Sequence, residues 1–164
     1  MHTPHGSYTI TGFGTNSSKA TKVFTFPTTA ALPSSSLLGI TCDPATMTLY
    51  TYYSGYNVTN KLTNRVYSLK ASTGGKWAST LLWTSNAPVE YVNGGKIAIG
   101  KDGLIYLSVG EIDGTTAQNL TANSGKIVRM DKTGKVPAGN PCVSPNAPKA
   151  PNARARTNHT MTTR

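Results

Sequence analysis

Acidic residues are scarce: the 164-residue chain holds 6 Asp and Glu against 16 Lys and Arg, and charged residues of both signs make up only 13% of it. So few charges leave little with which to coat the outer faces of long helices. The abundance of Ser, Thr, Asn and Gly suits short strands joined by turns instead. Cysteine occurs only at Cys42 and Cys142, with no Cys-x-x-Cys spacing, and the three histidines, His2, His5 and His159, lie at the chain ends. A zinc cluster of paired Cys and His is therefore excluded. A disulfide between the two cysteines stays open, but a buried free thiol is the commoner fate of a lone strand cysteine such as Cys42. No apolar run approaches the roughly 18 residues that span a bilayer as a helix. The start, Met1-His-Thr-Pro-His, lacks the basic and apolar regions of a signal peptide. No membrane partner is expected.

The surplus of cations gives a net charge of +10. Nucleic-acid binding needs those cations clustered on one surface. Here Lys149, Arg154, Arg156 and Arg164 lie in an acid-free end, while Lys101, Lys132 and Lys135 sit singly near turns. That is the pattern of a solvated basic surface, and no nucleic-acid partner is expected. Glycosylation triplets begin at Asn16, Asn57, Asn119 and Asn158, but a chain rich in Asn, Ser and Thr makes these by chance. The pairs Gly74-Gly75 and Gly94-Gly95 lack the following helix that a phosphate-binding loop requires. Glu111 and Asp113 form an acidic pair that reads as a solvated turn.

What is present is a series of short strands. Val23–Phe26 is the first, before Pro27. Leu37–Cys42 and Leu49–Tyr53 read as a hairpin across Asp43-Pro44, and Arg65–Leu69 and Thr80–Thr84 follow, separated by Ser72-Thr-Gly-Gly. Lys96–Gly100 and Leu104–Val109 flank Lys101-Asp-Gly, with Ile105, Leu107 and Val109 on one face at period two. Lys126–Met130 is the last. Strands of about five residues at spacings of roughly 8–12, with no helical period, indicate an all-β sandwich, barrel or propeller, and periodicity does not choose among them. From Cys142 onward Pro145, Pro148 and Pro151 alternate with small and basic residues, too little apolar material to offset the entropy of ordering.

The motifs in combination carry more. Leu37-Leu-Gly-Ile-Thr-Cys-Asp-Pro, Leu49-Tyr-Thr-Tyr-Tyr, Asn64-Arg-Val-Tyr, Asn93-Gly-Gly-Lys-Ile-Ala-Ile-Gly-Lys-Asp-Gly-Leu-Ile-Tyr-Leu-Ser-Val-Gly, Gly125-Lys-Ile-Val-Arg-Met-Asp and Val136-Pro-Ala-Gly-Asn-Pro together resemble the glucose/sorbosone dehydrogenase family in order and spacing over residues 37–141. The resemblance implies a six-bladed β-propeller of antiparallel four-stranded blades, of which this chain has roughly half. It divides the chain into a lead-in and partial first blade over 1–36, dehydrogenase-like blades over 37–141, and a basic, Pro-rich disordered tail over 142–164. It also implies pyrroloquinoline quinone (PQQ) and calcium as cofactors, a sugar substrate oxidised at its anomeric carbon with hydride passing to the quinone, and a periplasmic or secreted location.

In the family a histidine immediately before Asn-Gly-Gly accepts the sugar hydroxyl proton, work suited to a neutral imidazole. This sequence has Val92 there, and a valine accepts no proton. Tyr91 does not substitute, because neighbours on an extended segment point to opposite faces. No catalytic residue is therefore assigned. By the same resemblance, Asn93 and Gln118 are candidate substrate contacts, and Glu111 stands where the family commonly has Asp. No metal ligand is assigned, and the residues that bind the quinone stay open. The chain reads as an inactive fragment or diverged copy of a sugar dehydrogenase. The alternative is a non-catalytic propeller module that binds a carbohydrate or a partner protein. Self-association, or a completing chain, would bury sheet faces that an incomplete propeller leaves open.

Overall fold

A computed structural model of the chain describes residues 9–13, 20–26, 36–56, 61–73, 76–85, 93–111, 117, 119 and 122–140. These form nine strands: β1 Thr9–Phe13, β2 Ala20–Thr25, β3 Ser36–Asp43, β4 Thr48–Tyr56, β5 Leu62–Ala71, β6 Trp77–Thr84, β7 Ile97–Ile99, β8 Ile105–Val109 and β9 Lys126–Met130. No α-helix occurs among the described residues. Every strand expected from the sequence is present within a few residues of its expected bounds. β1 was not expected; its Thr-Ile-Thr-Gly-Phe has no clear alternation and becomes a strand by pairing with β2, across a bulge at Ile10/Thr11.

The strands make three antiparallel sheets in chain order: β1-β2, then β3-β4-β5-β6, then β7-β8-β9. Each sheet is an up-and-down meander, which is how a propeller blade is built. The β3–β4 turn is set locally. Pro44 cannot continue the ladder, and Asp43 caps the turn by accepting from the Ala45 amide at 3.2 Å and the Thr46 hydroxyl at 2.8 Å.

The middle sheet is covered on both faces, which explains why β4 shows almost no alternation of burial. On one face Tyr50, Tyr52, Val66 and Trp83 pack against Ile97, Ile105, Leu107, Val109, Val128 and Met130 of the third sheet. On the other, Tyr53 and Leu69 pack with Ile10 of the first and with Phe26 just past β2, and the Phe26 and Tyr53 rings stack at 4.6 Å. The third sheet alternates cleanly on β8 because only one of its faces meets another described sheet.

Two features join the middle and third sheets at close range. Gly39 of β3 lies so near the Gly95 carbonyl that any Cβ would overlap it. Lys132, in the turn after β9, donates to the Asp43 carboxylate at 2.6 Å across 89 residues of sequence.

Cys42 corrects the sequence reading: it is free and exposed, not a buried thiol. Its register with Leu49 points it to the first-sheet side, where the described part of that sheet leaves edge strand β3 uncovered and Ile40 is likewise exposed. With Cys42 free, the Cys42–Cys142 disulfide left open by the sequence is not formed; Cys142 itself and the tail over 142–164 lie outside the described residues.

Candidate functional site

Three chain segments meet at one end of the third sheet: the approach to β7 (residues 93–96), the exit of β8 (Gly110 and Glu111) and the start of β9 (Gly125 and Lys126). Antiparallel pairing brings them together, since β7 begins and β8 ends at the same edge. The bonds between them are specific. Gly95 donates to the Ser108 carbonyl at 3.3 Å, Ser108 to the Lys96 carbonyl at 2.9 Å, and Gly125 to the Gly110 carbonyl at 2.9 Å. The Lys96 amide also donates to Ser108 Oγ at 3.0 Å.

The glycines in this stretch answer to geometry. Gly94 has φ of 77° and sits against the Ser108 carbonyl, where a side chain would both overlap it and strain the backbone. Gly125, with φ of 64°, lies under the Glu111 carboxylate in the same way.

From the middle sheet, Tyr52 reaches across and donates its hydroxyl to the Asn93 carbonyl at 2.7 Å. The ring is fully buried, and that burial pushes the phenol well above the ordinary tyrosine range. Tyr52 therefore stays a protonated donor. The nearby Asn64 amide offsets part of this effect, although neither of its polar atoms completes a hydrogen bond of good geometry.

Asn93, a candidate substrate contact from the sequence, is half-buried, and its Oδ1 is enclosed without a partner. It faces protein rather than open solvent. Glu111 is half-buried with Oε2 enclosed beside Gly125, so the carboxylate is not the solvated turn residue the sequence suggested. Val92, Tyr91, Gln118, Asp113 and all three histidines lie outside the described residues.

Lys126 is a residue that sequence reasoning passed over. It is 3% exposed and donates to the Ala117 carbonyl at 2.5 Å and the Ser124 carbonyl at 2.9 Å. The available signal was its period-two alignment with Val128 and Met130, which puts a lysine on the core face of β9. At the opposite end of this sheet Asp102 accepts from Tyr106 at 2.8 Å and from Arg129 at 3.1 Å, and Arg129 also bonds Asn140 at 3.0 Å. The Tyr106 hydroxyl, chiefly, holds the Asp102 carboxyl below its usual range. That network pins the β7–β8 turn to β9 and is remote from the first site.

Among the described residues no group of three or more His, Cys, Asp or Glu is placed to hold a metal ion. The buried Lys126 ammonium is directed at main-chain carbonyls rather than left free for an acidic cofactor. The described residues thus do not by themselves fit PQQ and calcium. What they do provide is a rigid backbone platform for the segment around Asn93, with one carboxylate beside it.

The sequence model of the glucose/sorbosone dehydrogenase family matches residues 7–152. No curated protein matches the chain. Among solved structures, the chain is similar to a glucose dehydrogenase at 20% identity and a TM-score of 0.70, covering 87% of this chain and 44% of that one. It is similar to an oxidoreductase (glucose dehydrogenase) from Thermus thermophilus at 26% identity and a TM-score of 0.65, over 81% of this chain and 40% of that one. It also resembles the soluble aldose sugar dehydrogenase of Escherichia coli in its apo form, at 19% identity and a TM-score of 0.69, over 89% and 43% respectively. The chain spans less than half the length of each of these structures.

Proposed function

The chain belongs to the glucose/sorbosone dehydrogenase family, and from that membership we propose that it carries about half of a sugar-dehydrogenase propeller, with the backbone of the substrate-side segment kept and the chemistry lost. The observation that carries this reading is the contrast around Asn93. Tyr52, Gly94 and Ser108 hold the Asn-Gly-Gly segment in place, yet the residue before it is Val92, where the family's proton acceptor belongs. A hydroxyl proton must leave as hydride is transferred, and an aliphatic side chain offers it no base. The substrate class proposed for the ancestral site is an aldose oxidised at its anomeric carbon, with PQQ supplying the two-electron acceptor when bound.

The test is titration of the purified chain with PQQ and calcium, then dye reduction over a panel of aldoses, beside a Val92→His variant. No sugar-dependent turnover by the natural sequence is expected. Turnover by it would overturn the reading.

A second reading is a non-catalytic module that binds carbohydrate or a partner protein. It is favoured by the engagement of Lys126 with carbonyls, which leaves the only deeply buried described cation unavailable to an acidic cofactor. Calorimetry with aldoses in the absence of quinone separates the two readings: heat of binding without cofactor supports the module.

A further inference from the structure

The middle sheet carries a polar patch inside an apolar contact. Ser54 lies directly opposite Asn64 and Tyr52 opposite Val66, with no bulge in the ladder. All four side chains therefore leave the same face, opposed Cβ atoms being about 4.5–5.5 Å apart. That face is the one buried against the third sheet. Tyr52, Ser54 and Asn64 each have 0% exposure.

The main chain of Asn64 is satisfied: its amide donates to Ser85 Oγ at 3.1 Å, and its carbonyl accepts from the Ser85 amide at 2.8 Å. Its side chain is not. Asn64 Oδ1 and Nδ2, Ser54 Oγ and Asn93 Oδ1 are all enclosed without a hydrogen-bond partner. Asn93 belongs with the others because the Tyr52 hydroxyl, which donates to its carbonyl at 2.7 Å, also lies beside the Asn64 side-chain amide.

Buried polar atoms are nearly always paired. Here the set includes donors, Asn64 Nδ2 and the Ser54 hydroxyl, and acceptors, the two amide oxygens. A water molecule has two donors and two acceptors, and a buried one bonds to about three otherwise unsatisfied groups. We propose that Ser54, Asn64 and Asn93 form a built site for ordered water, which bridges the middle sheet to the segment leading into β7. Tyr52 anchors the Asn93 main chain, and the water anchors its side chain, so the platform beside position 92 has two fixed points. This site does not depend on the sugar-dehydrogenase reading.

A crystal structure of the full chain at a resolution that shows solvent tests the proposal directly. A water is expected within roughly 2.7–3.2 Å of the Asn64 amide and of Ser54 Oγ or Asn93 Oδ1. In solution, oxygen-17 relaxation dispersion counts long-lived internal waters. Asn64→Leu is expected to lose one, and Ser54→Ala, a smaller change, to shorten its residence time. A dry site with the Asn64 and Asn93 amides bonded directly to each other overturns the proposal. So does a folded Asn64→Leu, or a folded Ser54→Ala, with the long-lived water signal unchanged. Should Asn64→Leu fail to fold, the natural chain's crystal and Ser54→Ala still decide.

Discussion

Tyr52 holds the Asn93 carbonyl with a hydroxyl that burial keeps protonated, so deleting one oxygen has two measurable effects. Tyr52→Phe leaves the carbonyl without its donor and is expected to cost about 1–3 kcal/mol, read as a lower urea midpoint with an unchanged slope. The second effect concerns pH. The folded phenol titrates above its ordinary value of 10.0, so the unfolded state deprotonates first and stability falls as pH rises beyond that value. Tyr52→Phe removes this contribution, and its stability should decline less steeply in alkali. Met47 offers the reverse case. It is 66% exposed with φ of 49°, in the left-handed region, and its side chain makes no compensating burial. Met47→Gly is expected to stabilise by about 0.5–1 kcal/mol, raising the thermal midpoint by a few degrees. The position was invisible in the sequence, because Met carries no turn signature. Asp43, four residues earlier, did, and its place in a turn was legible, though the bonds by which it caps that turn were not.

The clearest element-level dependence is the join between the β3–β4 turn and the turn after β9. Hydrogen bonding to Lys132, above all, holds the Asp43 carboxyl below its ordinary 3.8. A group depressed in the folded state adds stability above the unfolded value and loses it as pH falls through the folded one. The natural chain should therefore lose this contribution as pH drops from about 4 downward, and Lys132→Met should flatten that part of the acid limb in pH-dependent urea unfolding. The closeness of β3 and the approach to β7 is tested separately. Gly39→Ala places a methyl on the Gly95 carbonyl, an overpacking expected to cost about 1–3 kcal/mol, measured by thermal or urea unfolding. The existence of both strands was legible from alternation and turn residues, but not their mutual approach. Leu-Leu-Gly-Ile reads as a strand with a weak point until the Gly95 carbonyl is known to lie against it.

For the molecule as a whole, the contact between the middle and third sheets is the principal apolar joint among the described residues, and Trp83, 1% exposed, is its largest side chain. Trp83→Ala is expected to cost about 3–5 kcal/mol, a large share of the roughly 5–15 kcal/mol typical of a folded domain, seen as a sharply lowered unfolding midpoint by circular dichroism. The sequence by itself determined where eight of the nine strands run, the Asp43 and Asp102 turns, the family's string of motifs and the valine at position 92. These are matters of local sterics, turn chemistry and residue identity, which act over a few neighbours. Only the tertiary structure decided that polar Ser54 and Asn64 are sealed inside, that Glu111 is enclosed and that Cys42 is exposed. Each is a question of solvent access, and access depends on which sheet comes to lie on which face. That is settled by segments far apart in the chain, as the Asp43–Lys132 pair across 89 residues illustrates, and no local pattern of residues encodes it.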